Sequence, residues 1–295
     1  MVVADEQRAA VPLRWQVNGL ELAGLCWGQA GDKPLLALHG WLDNAASFAF
    51  LAPLLTGYQV VALDLTGHGR SAWRSADASY QIWDDLPEIL GVLDALGWDR
   101  FDLIGHSRGA IISTLLASAF PERIRHLVLL DAIVPGAVAD EDFPQQLRSS
   151  LLDKQRLRTT GNRVFPSIED AVASRVERGL PLPAARVLVE RNLTECPGGV
   201  TWTTDPRLRG ASAVKMGEAH IRAVLGRLDM PTLLLLAADA SARTQHLLEH
   251  VQPYIADLAT DSVEGGHHFH MEANVGKVGK TVNDFMSSAK ASALT

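Results

Sequence analysis

Residues 103 to 109 read Leu103-Ile104-Gly105-His106-Ser107-Arg108-Gly109. The apolar run Phe101 to Gly105 meets a Gly-x-Ser-x-Gly turn and passes into Ala110-Ile111-Ile112, a stretch with helix-compatible side chains and no breaker until Pro121. Strand, turn and helix in that order put Ser107 at the apex of a sharp turn. Glycines two positions to either side remove the Cβ atoms that would collide there, so the hydroxyl stands free above the end of a sheet. A serine hydroxyl is almost un-ionised at neutral pH. Its use as a nucleophile therefore requires an adjacent base, most often a histidine held by a carboxylate.

The same strand type recurs on both sides of this turn. Short continuous apolar runs at Leu35 to Leu38, Val60 to Leu63, Leu127 to Leu130 and Leu233 to Leu236 are separated by helix-length segments. Strands apolar on both faces predict a mostly parallel sheet covered by helices on both sides, an α/β architecture. Arg14 to Val17 and Leu20 to Trp27 flank Asn18-Gly19, a hairpin signal, so the chain starts antiparallel. About 100 residues separate the run ending at Leu130 from the one starting near Thr232, where a βα unit needs only about 30. Within that excess, Phe143 to Arg158, Ser167 to Arg178 and Pro183 to Leu193 are helix-like. The spacing predicts a core from residues 1–135 and 226–295, with residues 136–225 inserted as a helical cap over the strand ends.

A net charge of −7 without any run of Lys and Arg argues against nucleic acid or an anionic membrane as partner and favours small neutral or apolar substrates. Met1-Val2-Val3-Ala4-Asp5-Glu6 has no basic region followed by an apolar stretch, as a secretory signal would, and no uninterrupted apolar stretch is long enough to span a bilayer. A cytoplasmic location is expected. Cys26 and Cys196 lie far apart and form no metal spacing, so two free thiols are expected. Without export, the sequon Asn192-Leu193-Thr194 has no consequence. No feature of the chain predicts its oligomeric state.

The base must come from ten histidines, and the richest stretch is Gly265-Gly266-His267-His268-Phe269-His270-Met271-Glu272. Four motifs, His39-Gly40, the stretch Asp64 to Ser71, the serine turn and this histidine cluster, occur in that order along nearly the whole chain. In this the chain resembles the α/β-hydrolase superfamily. The expected cap, His39-Gly40-Trp41-Leu42-Asp43 and the stretch Trp202 to Pro206 are most similar to the serine hydrolase-like proteins, a capped esterase type.

The resemblance implies that the terminal pattern Gly-x-His-x-x-His-hydrophobic-Glu selects His267 as base, with His270 as its companion and His268 as the alternative. A metal site is the competing use of these histidines. No Cys, Asp or Glu joins them at ligand spacing, so neither metal nor cofactor is expected. For the orienting acid the superfamily offers two positions. Asp131 ends Leu127-Val128-Leu129-Leu130, and its separation from Ser107 resembles hydrolases with the acid after the sixth strand; Asp239 ends Leu233 to Ala238 but falls one residue before the usual position. Asp131 is preferred and Asp239 is the alternative.

By the same resemblance the backbone N–H groups of Trp41 and Arg108 form an oxyanion hole. The positive Arg108 side chain is expected to pair with a cap carboxylate, with a bias toward an acidic leaving group as the alternative. His39 is structural, and Asp64, Gly67, Gly69 and Ser71 shape a loop. Trp41, Phe48, Phe143 and Trp202 are candidate apolar walls for substrate. Dehalogenases and epoxide hydrolases of this superfamily carry a carboxylate where this chain has Ser107, so serine favours acyl chemistry. The expectation is a carboxylesterase-like serine hydrolase that cleaves a small-to-medium hydrophobic ester through an acyl-enzyme. Thioesterase, lactonase, carbon-carbon bond hydrolase and cofactor-free perhydrolase activities would use the same residues. A small-molecule receptor with little turnover is the alternative of a different class.

Overall fold

A computed structural model describes residues 10–238 and 247–288. The alternative acid Asp239 lies outside the described residues. The strands are β1 (Val11–Val17), β2 (Leu20–Trp27), β3 (Lys33–Leu38), β4 (Tyr58–Leu63), β5 (Phe101–His106), β6 (Ile124–Leu130), β7 (Val164–Phe165), β8 (Leu193–Cys196), β9 (Gly199–Trp202), β10 (Thr232–Ala237) and β11 (Leu258–Val263). The α-helices are α1 (Leu86–Leu96), α2 (Arg108–Ala119), α3 (Phe143–Leu157), α4 (Ile168–Val176), α5 (Leu182–Arg191), α6 (Glu218–Leu225) and α7 (Val275–Ser287).

Eight strands form one sheet in the order β1-β2-β4-β3-β5-β6-β10-β11, antiparallel where β2 meets β1 and β4 and parallel from β4 onward. The hairpin turns at Asn18 (φ 51°) and Gly19 (φ 79°), both left-handed as a two-residue turn between twisted strands requires. All five apolar runs lie in this sheet. Their alternate residues face opposite ways: Leu36, Leu38, Leu103, Leu129 and Leu234 pack with the helices α1, α2 and α6, while Leu35, Ala37, Ile104, Val128 and Leu235 pack with α7. The edge strand β11, Leu-Ala-Thr-Asp-Ser-Val, has only Val263 buried, and its polar composition leaves no apolar run to detect. Among the described residues no helix is long and apolar enough to cross a membrane.

Residues 136–225 carry the three expected helical segments as α3, α4 and α5, and also a three-stranded antiparallel sheet, β7-β9-β8, that the helical pattern did not predict. Leu193, read as the end of a helix, begins β8. The helix α6 packs into the main core through Ile221 and Leu225. The insert has its own small core of Phe165, Ala171, Val172, Ala184 and Leu188, which closes on Met271 from the histidine loop.

A buried ion pair also joins the insert to the sheet. Arg191 at the end of α5 reaches Asp64, just after β4, through Nε at 3.0 Å and Nη2 at 2.8 Å, and the same carboxylate accepts the N–H groups of Ala45 and Arg70. Both oxygens are thereby satisfied in a buried site. Removing one partner of such a pair strands a buried charge. Arg191→Met is expected to lower the unfolding free energy by about 3 kcal/mol in urea denaturation. Arg191→Lys should recover only part of the loss, because an ammonium cannot fork onto two oxygens.

Candidate active site

Ser107 sits between β5 and α2 at φ 53° and ψ −117°, a conformation costing a non-glycine residue about 1–3 kcal/mol. The surroundings over-determine it. Its N–H donates to the Leu130 carbonyl of β6 at 2.9 Å, and its own carbonyl accepts from Ala110 and Ile111. The flanking glycines are required by close approach: a Cβ on Gly109 would lie 2.1 Å from the Leu38 carbonyl oxygen, and one on Gly105 would lie 2.5 Å from both Gly109 O and Ser113 Oγ. The first turn of α2 therefore rests directly on β3.

The structure brings Ser107, His267 and Asp131 together. Ser107 Oγ lies 2.9 Å from His267 Nε2, and His267 Nδ1 lies 2.5 Å from Asp131 Oδ2. A carboxylate can only accept here, so Nδ1 carries the proton and Nε2 is left to accept from the serine hydroxyl. Asp131 is itself fixed at φ 58°. Its N–H donates to Leu235 O at 2.8 Å, and its Oδ1 accepts from Ala237 N–H at 2.9 Å, so β10 anchors one carboxylate oxygen and leaves the other for the imidazole. His268 turns the other way, and its Nε2 lies 3.0 Å from Asp43 Oδ2.

Beneath these three lies a layer that sequence reasoning did not find. His106 is fully buried and donates from Nε2 to the His267 carbonyl at 2.8 Å, holding the backbone of that residue. Burial, helped by the neighbouring His268 and His267, pushes its pKa down to about 3, so it is neutral. Its ring centre is 4.2 Å from that of His270, which bonds Ser47 Oγ at 2.9 Å. Burial alone would raise the Asp43 carboxyl. The hydrogen bond and charge of His268, together with the Arg175 guanidinium at 2.9 Å, outweigh that and hold it well below the usual carboxylate range. Arg175 also donates to the Leu42 carbonyl at 3.0 Å, where Leu42 has φ 60°, so α4 pins the turn after β3. No local signal could pair Asp43 with His268, since the two are 225 residues apart. His39 accepts from Leu65 N–H at Nε2 and donates from Nδ1 to Gly40 O, a structural arrangement.

The Trp41 and Arg108 N–H groups have no acceptor among the described residues, and Arg108 opens α2. The Arg108 side chain pairs with Asp85, just before α1, at 2.7 Å, which corrects the expectation of a partner in the insert. Trp41 is half-exposed and donates from its indole to Leu208 O of the insert. A cavity of about 360 Å³ lies between this turn and the insert, lined by Trp41 and Trp202 among others. Phe48 and Phe143 do not line it. The Ala45–Phe48 turn is wholly buried in the core on the α7 side, which draws Phe48 inward, and Phe143 starts α3 on an exposed face.

A carboxylate does join the histidines in space: ligand atoms of Asp43, His106 and His268 lie within 4.8 Å of one another. Asp43, however, already binds Arg175 and His268. A guanidinium on that carboxylate opposes a second cation by direct repulsion.

Residues 33–181 match the family model described as the alpha/beta hydrolase fold, and the chain belongs to this family. It is 30% identical over 294 residues to a serine hydrolase-like protein of Dictyostelium discoideum, covering 92% of this chain and 80% of that protein. A serine hydrolase-like protein of Danio rerio is 31% identical over 296 residues, covering 95% and 89%. The crystal structure of a hypothetical protein from Pseudomonas aeruginosa PAO1 is similar with a TM-score of 0.88 at 38% identity, covering 94% of this chain and 99% of that one. The protein is thus a serine hydrolase-like α/β hydrolase.

Burial holds His39, His68, His106 and His270 below the ordinary histidine pKa. In the unfolded chain these groups take up protons as pH falls below about 6.5, which the folded chain resists, so stability falls with them. His106, held at about 3, should account for about 1.4 kcal/mol lost at pH 5.5 relative to pH 7.5, and the other three act in the same direction. Urea midpoints at the two pH values should show the drop, and His106→Asn should make it shallower.

Proposed function

We propose that this protein hydrolyses a small-to-medium carboxylic ester through an acyl-enzyme, with residues 136–225 acting as a cap that shapes the substrate site. The observation that carries this is the unbroken hydrogen-bonded chain from Ser107 Oγ through His267 to Asp131, at 2.9 and 2.5 Å. In this mechanism Ser107 Oγ attacks the ester carbonyl while His267 Nε2 takes its proton. Asp131 keeps the imidazole in the required tautomer and stabilises the imidazolium that forms. The negative oxygen of the tetrahedral intermediate is held by the free N–H groups of Trp41 and Arg108, two preorganised donors of which each is worth about 3 kcal/mol in comparable sites. His267 then returns the proton to the leaving alcohol. A water deprotonated by the same nitrogen cleaves the acyl-enzyme and restores Ser107. Trp41, Phe165 and Trp202 supply apolar surface for the substrate.

A p-nitrophenyl ester series from acetate to long acyl chains tests this directly. Wild type should turn over the shorter esters, and Ser107→Ala should lose at least about 1,000-fold in kcat. Asp131→Asn should lose on the order of 10,000-fold by imposing the wrong imidazole tautomer, whereas Asp239→Asn should leave activity intact. Retained activity in Ser107→Ala would end the proposal, and a larger loss in Asp239→Asn than in Asp131→Asn would reassign the acid.

A further inference from the structure

The cavity beside Trp41 has an unusual electrostatic lining. Arg163, Arg175, Arg178 and Arg209 all border it, and no Asp or Glu does. In a chain whose acidic residues outnumber Lys and Arg by 34 to 27, four converging arginines without an acid run against the composition. Four other arginines of the insert are neutralised locally, since Arg156 holds Asp153, Arg186 holds Glu169, Arg191 holds Asp64 and Arg207 holds Asp205, while Arg148, Arg158 and Arg222 have no carboxylate partner among the described residues and lie outside the cavity. At the cavity only Arg175 has a carboxylate, Asp43. Arg209 donates one nitrogen to the neutral Asn162 amide, and Arg163 stands 4.6 Å over the Phe165 ring. Among the described residues the Arg178 side chain has no hydrogen-bond or ion-pair partner. Three guanidinium groups thus keep an uncompensated charge around a space with aromatic walls.

We infer that this cavity is an anion subsite, and that the substrate carries a carboxylate or phosphate bound by Arg163, Arg178 and Arg209. The inference rests on the proposed ester hydrolysis for the reacting end of the substrate. Trp41 links the two regions: its N–H is the proposed oxyanion donor and its side chain is a wall of the cavity. None of Ser107, Asp131 and His267 lines the cavity, so the inference requires a substrate long enough to extend from its anion in the cavity past the Trp41-Leu42 turn to Ser107. Guanidinium forks match the planar carboxylate and the phosphate oxygens alike, and they are the side chains suited to such ligands at a partly wet site. The aromatic rings of Trp41 and Trp202 would pack the uncharged connecting segment. Leu42, in the left-handed region and tied to Arg175, keeps that wall in place.

The test compares 4-nitrophenyl butyrate with the 4-nitrophenyl half-ester of glutaric acid, after subtraction of spontaneous hydrolysis, in wild type and in Arg163→Gln/Arg178→Gln/Arg209→Gln. The three side chains lie on exposed positions, so the variant is expected to fold, as circular dichroism and its melting temperature would confirm. Wild type should favour the half-ester in kcat/KM by about tenfold or more, the variant should lose that preference, and 0.5 M NaCl should weaken it because the groups are solvent-screened. Calorimetric titration of Ser107→Ala with glutarate and with inorganic phosphate reads the subsite without any turnover. Binding of glutarate assigns a carboxylate-bearing substrate and binding of phosphate a phosphorylated one, provided the arginine substitutions weaken it at least about tenfold. An equal preference ratio in wild type and variant, with no titratable binding of either anion, would overturn the subsite. Failure of wild type to cleave any ester while glutarate or phosphate binds would instead overturn the proposed ester hydrolysis and leave the subsite standing.

Discussion

The first turn of α2 lies so close to the end of β3 that position 109 admits no side chain, and the rest of the site follows from that approach. With Gly109 against the Leu38 carbonyl, the chain leaving β5 must reverse within one residue, and Ser107 takes the left-handed conformation that permits it. The strain is held by the hydrogen bond from Ser107 N–H to Leu130, the last residue of β6. The next residue is Asp131, also left-handed and tied to β10 through its N–H and one carboxylate oxygen. The register between β5, β6 and β10 thus sets the spacing of Ser107 and the Asp131 carboxylate, and a loop after β11 brings His267 between them. A rigid sheet supplies positional accuracy that loops alone would not.

The insert is held by two buried carboxylates rather than by apolar packing alone. Asp64 takes Arg191 from α5, and Asp43 takes Arg175 from α4 while also bonding His268. Buried ion pairs of this kind add little net stability over an apolar replacement, but they fix orientation because an unpaired member is costly. Asp43 therefore couples three elements at once: the turn carrying Trp41 and Leu42, the histidine loop and the insert. A shift of α4 cannot occur without disturbing either the wall of the cavity or the residue next to His267. His106 adds a second restraint from below, since its neutral ring donates to the His267 carbonyl.

Features that depend on a few neighbouring residues were legible in the amino-acid order. The five buried strands declare themselves as apolar runs, the hairpin as Asn18-Gly19 and the strained turn as Gly105-x-Ser107-x-Gly109. The edge strand β11 was not legible because solvent on its open side removes the apolar constraint, and β7, β8 and β9 are too short for any periodicity to emerge. The histidine loop stood out by composition, and resemblance ordered its members. Phe48 and Phe143 show the limit of reading aromatic residues as cavity walls. Composition makes both eligible, but burial of one and outward placement of the other are decided by the turns that carry them.

By itself the sequence determined the layered α/β core and the glycine-flanked turn at Ser107, because strand burial, helix breaking and glycine sterics act over a few residues. Only the tertiary structure decided that Asp43 and Arg175 would meet His268, that His106 would lie under His267, and that three arginines without a carboxylate partner would border the cavity beside Trp41. Those groups are scattered through the chain and come together at the ends of parallel strands. Their electrostatic interactions act across distances in space that no local pattern along the chain encodes.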